Sequence, residues 1–188
     1  RFVPVAWTGG TFRDEDGKAL ATTPQYWGLS AMFRDLNGDN APDLYVCNDF
    51  RLSPDQVWIN DGRGHFQAIP RLALRNMSMS SMGVDFADIN RDGFVDFFVV
   101  DMLSREHKRR QIQRVNAHPE LMALPFGWID NRPEVMRNTL YLNRGDATFA
   151  EIAHLSGLQA SEWSWCPIFL DVDLDGFEDL LGTSGNGH

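Results

Sequence analysis

The chain has 188 residues, 43% hydrophobic and 12% aromatic, which is ample apolar material for a packed core. Its formal net charge of −9 argues against a nucleic-acid partner, which needs clustered cations on a net basic surface. No apolar run approaches the ~18 residues needed to cross a bilayer, and Cys47 and Cys166, the only cysteines, make no disulfide framework and are expected as two buried free thiols.

Residues 1–26 open the chain. Thr11–Lys18 reads as a hairpin with an Asp-Gly turn, the end of a preceding structural unit, and its Asp14-x-Asp16 reads as a turn rather than a metal site. The first residue, Arg1, is not followed by a signal-peptide pattern, and both termini read as cuts in a longer protein, which leaves the leader open.

Three nine-residue loops follow, each between two short apolar runs. They are Asp35-Asn37-Asp39-Asp43, Asp88-Asn90-Asp92-Asp96 and Asp171-Asp173-Asp175-Asp179. Such carboxylates repel one another unless a cation sits among them, and hard oxygen ligands at this density suit Ca²⁺, which takes six to eight. Numbered from the first Asp, positions 1, 3, 5 and 9 supply side-chain oxygens. Position 7 (Ala41, Phe94, Phe177) supplies only a carbonyl, and position 6 must turn sharply at Asn40, Gly93 or Gly176. An EF-hand is excluded because position 12 is Val46, Val99 or Gly182 rather than Glu, and the flanks read as strands. Mg²⁺ fits less well, since it keeps its waters and takes few carboxylates. The alternative without metal is a set of Asx-rich turns. Ten of the 26 acidic residues stand at these ligand positions, so three Ca²⁺ ions would bring the formal charge to −3.

A second motif fixes the period. Trp58–Phe66 parallels Tyr141–Phe149 around an Asn-x-Gly turn, and each closing Phe precedes the next loop by 22 residues. The loop-to-Phe distance is 31 residues in the first copy and 61 in the second, so a repeat of about 53 residues carries a 30-residue insertion. Strands flank each loop (Ala31–Phe33 and Leu44–Cys47, Val84–Ala87 and Phe97–Val100, Pro167–Leu170 and Leu180–Leu181). A third strand ends at the Asn-x-Gly turn and a fourth opens at Phe66 or Phe149. Four-stranded units at this period predict an all-β fold of propeller blades: 27–80, 81–160 and the start of a third at 161–188. Propellers need about four to eight blades, so these units do not close a ring.

The segments Phe86–Asp96 and Leu170–Leu181, with Asn143–Phe149, resemble the FG-GAP/VCBS repeats. With Gly157-Leu158 and Trp163-Ser164-Trp165 the chain most resembles, over residues 27–182, the cartilage-acidic-protein-like (ASPIC/UnbV-associated) branch. Ala147 and Asn40 stand where those repeats usually carry Gly. The resemblance implies an integrin-α-like β-propeller with one Ca²⁺ per loop, in a secreted, periplasmic or cell-surface protein with a binding or adhesion role toward a protein or glycan. Calcium sites of extracellular modules, with dissociation constants of about 10⁻⁴–10⁻³ M, agree with that location.

The insertion, about 103–136, leaves the strand end opposite the loops. Ser104 is expected to cap a helix over Arg105–Val115, which holds five of the 17 basic residues; Pro119 and Pro125 bracket Leu121–Leu124. A solvated helix over the ring opening is the plain expectation. A cationic ligand face of Arg105, Lys108, Arg109 and Arg110, with Asn48 and Asp101 at neighbouring strand ends, is the sharper one. Trp163 and Trp165 are expected to pack between blades. His65, His118, His154 and His188 lack metal-ligand or triad spacing. The expected function is a non-catalytic calcium-binding interaction module. The alternative is a propeller-based polysaccharide lyase or hydrolase, for which no nucleophile or zinc motif speaks.

Overall fold

The computed structural model describes residues 3–116 and 132–185. In chain order the first strands are β1 (Phe12–Arg13), β2 (Trp27–Arg34), β3 (Asp43–Asp49), β4 (Gln56–Asn60), β5 (Phe66–Ala68) and β6 (Met77–Ser78). Next come β7 (Gly83–Ala87), β8 (Asp96–Val100), β9 (Met102–Leu103) and the helix α1 (His107–Asn116). The last are β10 (Glu134–Val135), β11 (Thr139–Asn143), β12 (Phe149–Glu151), β13 (Glu162–Leu170) and β14 (Asp179–Ser184).

Two antiparallel meanders repeat the same order. The first sheet runs β1-β5-β4-β3-β2 and the second β12-β11-β8-β7, while β14-β13-β9 makes a third. In each, an acidic loop joins the first two long strands: Arg34 faces Asp43, Ala87 faces Asp96, and Leu170 faces Asp179. The mostly-β expectation therefore holds. The leading segment makes the expected turn, with Arg13 bridged antiparallel to Ala19 and the Asp14 N–H donating to the Lys18 carbonyl. Its two-residue strand β1 runs parallel to β5 and widens the first sheet. Trp7, Phe12, Trp58 and Phe66 account for this, because their rings stack or meet edge to face over that sheet (Phe12–Phe66 centroids 5.3 Å, Trp7–Phe12 4.1 Å).

The sheets stack face to face, and the period of two in β8 shows why. Phe97 and Val99 enter a layer with Tyr45, Cys47 and Val57 of the first sheet; Phe98 and Val100 enter a layer with Phe169 and Leu180 of the third. Every residue of β8 is consequently buried, as expected for an apolar run packed on both faces. Phe97 is the hub of the first layer, with ring centroids 4.6 Å from Tyr141 and 5.2 Å from both Tyr45 and Phe149. Gly83 is required at the second layer, since a Cβ there would stand 2.9 Å from the Trp165 carbonyl oxygen. The outer face of the third sheet leaves Ile168, Leu170 and Leu181 exposed.

Cys47 is buried but Cys166 is exposed, because it shares the uncovered face of β13 with Ile168 and Leu170. Of the tryptophans on that strand, Trp163 is half-buried, whereas Trp165 is 49% exposed and donates its indole N–H to the Gly185 carbonyl. The helix starts at His107, two residues later than expected, and the Ser104 hydroxyl accepts the Glu106 N–H ahead of it. Pro119, Pro125, Leu121–Leu124 and His118 lie outside the described residues, as does His188.

Candidate metal centre

The three acidic loops fold by one local rule. Side-chain oxygens at positions 1, 3 and 5 each accept backbone N–H groups from further along the same loop. Asp35 accepts from Gly38 (2.7 Å) and Asn40 (2.7 Å), Asn37 from Asp39 (3.1 Å), and Asp39 from Ala41 (2.8 Å). Asp88 accepts from Asp92 (3.0 Å) and Gly93 (2.9 Å), Asn90 from Asp92 (3.1 Å), and Asp92 from Phe94 (2.9 Å). Asp171 accepts from Asp175 (3.1 Å) and Gly176 (2.8 Å), Asp173 from Asp175 (3.2 Å), and Asp175 from Phe177 (2.8 Å). These nested Asx turns hold the side chains toward one side of the loop.

Two backbone positions per loop are left-handed. Position 6 is so as expected, with Asn40 at φ 66° and Gly93 and Gly176 close to 90°. Position 4 was invisible in the sequence: Gly38 fills it in the first loop, but Arg91 (φ 60°) and Leu174 (φ 62°) adopt it without glycine, at a steric cost that the surrounding hydrogen bonds must offset.

The loops differ in charge compensation. In the first two, the position-3 asparagine donates its Nδ2 to the position-5 carboxylate (Asn37 to Asp39, 3.0 Å; Asn90 to Asp92, 2.9 Å). Asp173 has no such donor, and oxygens of Asp171, Asp173 and Asp175 lie within 4.8 Å of one another. The residues fit a hard divalent cation: each carboxylate oxygen that accepts one N–H retains a second lone pair, and the ligand types match oxygen-only coordination. At position 7, Ala41 is buried, Phe94 half-buried over Gly145, and Phe177 exposed beneath the Arg91 guanidinium, 3.7 Å from its ring centroid. Only their carbonyls could serve a cation.

The position-9 aspartates do more than close the loops. Asp43 is fully buried; its oxygens accept the Leu36 N–H (2.8 Å) and, from the third strand, the Asn60 N–H (2.7 Å). Asp96 repeats this with Ile89 (3.1 Å) and Asn143 (2.8 Å), while Asp179, exposed, accepts only from Val172 among the described residues. Burial pushes the Asp43 carboxyl up to about 6, against the Asn60 and Leu36 N–H groups, and the Asp39 and Asp35 charges push it further. Asp96 is raised for the same reasons. Asn60 and Asn143 were visible only as turn residues. Their stronger signal is the shared offset from position 9, once the 30-residue insertion is removed.

At the opposite strand ends, the ligand face expected from the sequence is divided. Asn48 and Asp101 are buried, so neither reaches that surface. The Asn48 side chain donates to the Pro54 carbonyl, and Asp101 accepts the Ser78 hydroxyl (2.6 Å) and the Ser80 N–H (3.2 Å). Asp55, missed in the sequence, accepts from the Ser81 hydroxyl (2.6 Å), the Tyr45 hydroxyl (2.7 Å) and the Asn48 N–H (2.8 Å). Burial pushes its carboxyl up to about 7 despite these donors. Two of the four cations are spent internally: Arg105 donates to the Ala160 carbonyl, and Arg110 to those of Ser104 and Arg105. Arg109 pairs with Glu106 at 3.0 Å, and Lys108 is exposed.

No curated protein matches the chain. Residues 35–99, which span the first two loops and strands β3 to β7 with most of β8, match the family model described as an FG-GAP-like repeat.

Proposed function

We propose that this chain is a segment of an integrin-α-like β-propeller whose loops 35–43, 88–96 and 171–179 each hold one Ca²⁺. The blades are 27–80, 81–160 and the start of a third, with 1–26 leading in and the ASPIC/UnbV-associated branch as the family context. The module works outside the cytoplasm, binding a protein or glycan without catalysis. The FG-GAP-like match over residues 35–99 supports a propeller-type binding domain. The observation that carries the calcium reading is the third loop, where Asp171, Asp173 and Asp175 bring carboxylate oxygens within 4.8 Å of one another and position 3 holds no asparagine to donate to its neighbour.

Calcium would supply positive charge at the centre of each loop. The chain's own residues hold the loop open for it: the Asx turns fix positions 1 to 5, and the position-9 aspartate ties the loop to the third strand in the first two copies. Thermal unfolding with calcium and with a chelator tests this. At 100 times the dissociation constant each occupied site adds about 2.7 kcal/mol, so the chelated protein is expected to melt many degrees lower. An unchanged midpoint, with Mg²⁺ as the comparison ion, would sink the proposal.

A further inference from the structure

Asn143 touches two acidic loops at once. Its backbone N–H donates to Asp96 of the second loop at 2.8 Å. Its Nδ2 donates to the Val95 carbonyl of that loop at 3.2 Å and to the Leu36 carbonyl of the first loop at 2.8 Å. Its Oδ1 accepts the Gly145 N–H at 3.0 Å, so every polar atom of the side chain is engaged, and the residue is only 4% exposed. Leu36 is equally buried, and its N–H donates to Asp43. An unbroken buried path therefore runs from Asp43 through Leu36 and Asn143 to Asp96. Asn60, the matching residue of the first sheet, keeps the Pro42 carbonyl and the Gly62 N–H but has no second acceptor for Nδ2 among the described residues. The bridge is thus an addition to the shared turn and not a by-product of it.

We propose that Asn143 is a positioning residue that couples cation binding in the first two loops, so that filling either one raises the affinity of the other. This rests on the calcium reading of the loops. Cation capture at positions 1 to 5 fixes position 2, Leu36, between two ligands. A fixed Leu36 carbonyl holds the Asn143 amide, and the Asn143 N–H holds the Asp96 carboxylate in place for its own cation. A buried amide that must satisfy two carbonyls at once resists partial displacement, because each unpaired group carries a desolvation penalty.

The test is a calcium titration by calorimetry on the whole chain, with the third loop disabled by Asp173→Asn combined with Asp175→Asn. Second-loop affinity is compared with the first loop intact and with it disabled by Asp39→Asn. Disabling the first loop is expected to weaken the second about fivefold or more. In Asn143→Ser, which keeps the N–H to Asp96 but removes the amide, that ratio is expected to fall below about twofold. Asn143→Asp, close in shape and lacking Nδ2 donors, gives the same collapse if the serine variant folds poorly. A second loop indifferent to the first in the Asn143 protein, or a ratio unchanged by both substitutions, overturns the coupling while leaving the calcium sites standing. Absence of any calcium heat in the unsubstituted chain overturns both.

Discussion

Replacing Asp173 with Asn gives the third loop the ligand set of the other two, and its effect should differ between chelator and calcium. Three like charges within 4.8 Å of one another repel by at least about 0.9 kcal/mol per pair in bulk water, and salt at physiological strength reduces this by roughly half. The substitution removes two of the three pairs, a gain of about 1 kcal/mol before any new bond. The added amide can also donate to Asp175 as Asn37 does to Asp39 and Asn90 to Asp92. In chelator, Asp173→Asn is therefore expected to raise the melting midpoint by about 2–4 °C for a domain of this size. In saturating calcium the same change removes one ligand charge, and the variant is expected to gain less from the ion than the unsubstituted chain does. Calorimetric melts of both proteins, each with and without calcium, read the two arms. A variant no more stable than the parent in chelator refutes the crowding, and an equal calcium-induced shift in both proteins refutes ligation at the third loop.

Phe97→Ala is expected to destabilise by about 3–5 kcal/mol, because the ring is fully buried at the meeting point of four other aromatics; denaturant unfolding measures it, and a loss under about 1 kcal/mol would show that the sheets do not share this layer. Asp55 contributes one part of the pH dependence, its folded carboxyl being raised to about 7 by burial. The folded state then holds a proton that the unfolded state releases from about pH 4 upward, so this contribution is complete below pH 4 and is lost as pH rises to 7. Comparing Asp55→Asn with the parent across that range is expected to show the parent losing on the order of 1–3 kcal/mol more; parallel stability profiles would mean that Asp55 is ionised throughout.

Much of the architecture could be read from residue order because local chemistry and tertiary demand agree. Phe97–Val100 is apolar at every position, and only a strand sandwiched between two sheets uses such a run. The repeat of Asn-x-Gly turns placed β4 and β11, and the loop spacing gave the strand pairs around each acidic turn. What stayed hidden depends on residues that meet only through the fold. Arg91 and Leu174 accept left-handed backbone because flanking carboxylates capture the N–H groups around them, and no glycine advertises the turn. Asn143 is bonded to Leu36, 107 residues away, and nothing local distinguishes it from Asn60. Asn48 and Asp101 look like polar strand ends that face solvent, yet neighbouring serines and backbone groups enclose them. The basic stretch on α1 promised a charged surface, but carbonyls nearby absorb Arg105 and Arg110.

The middle sheet has no water-facing side, and this shapes how such a chain can be assembled and shortened. Each of its two surfaces is completed by a different neighbour, so its hydrogen-bonded ladder alone is an unfinished object with oily skin on both sides. Trimming the protein before β13 would strip one of those covers and leave Phe98 and Val100 bare, inviting clumping. Units of this kind are therefore better handled as a contiguous block than as separable pieces.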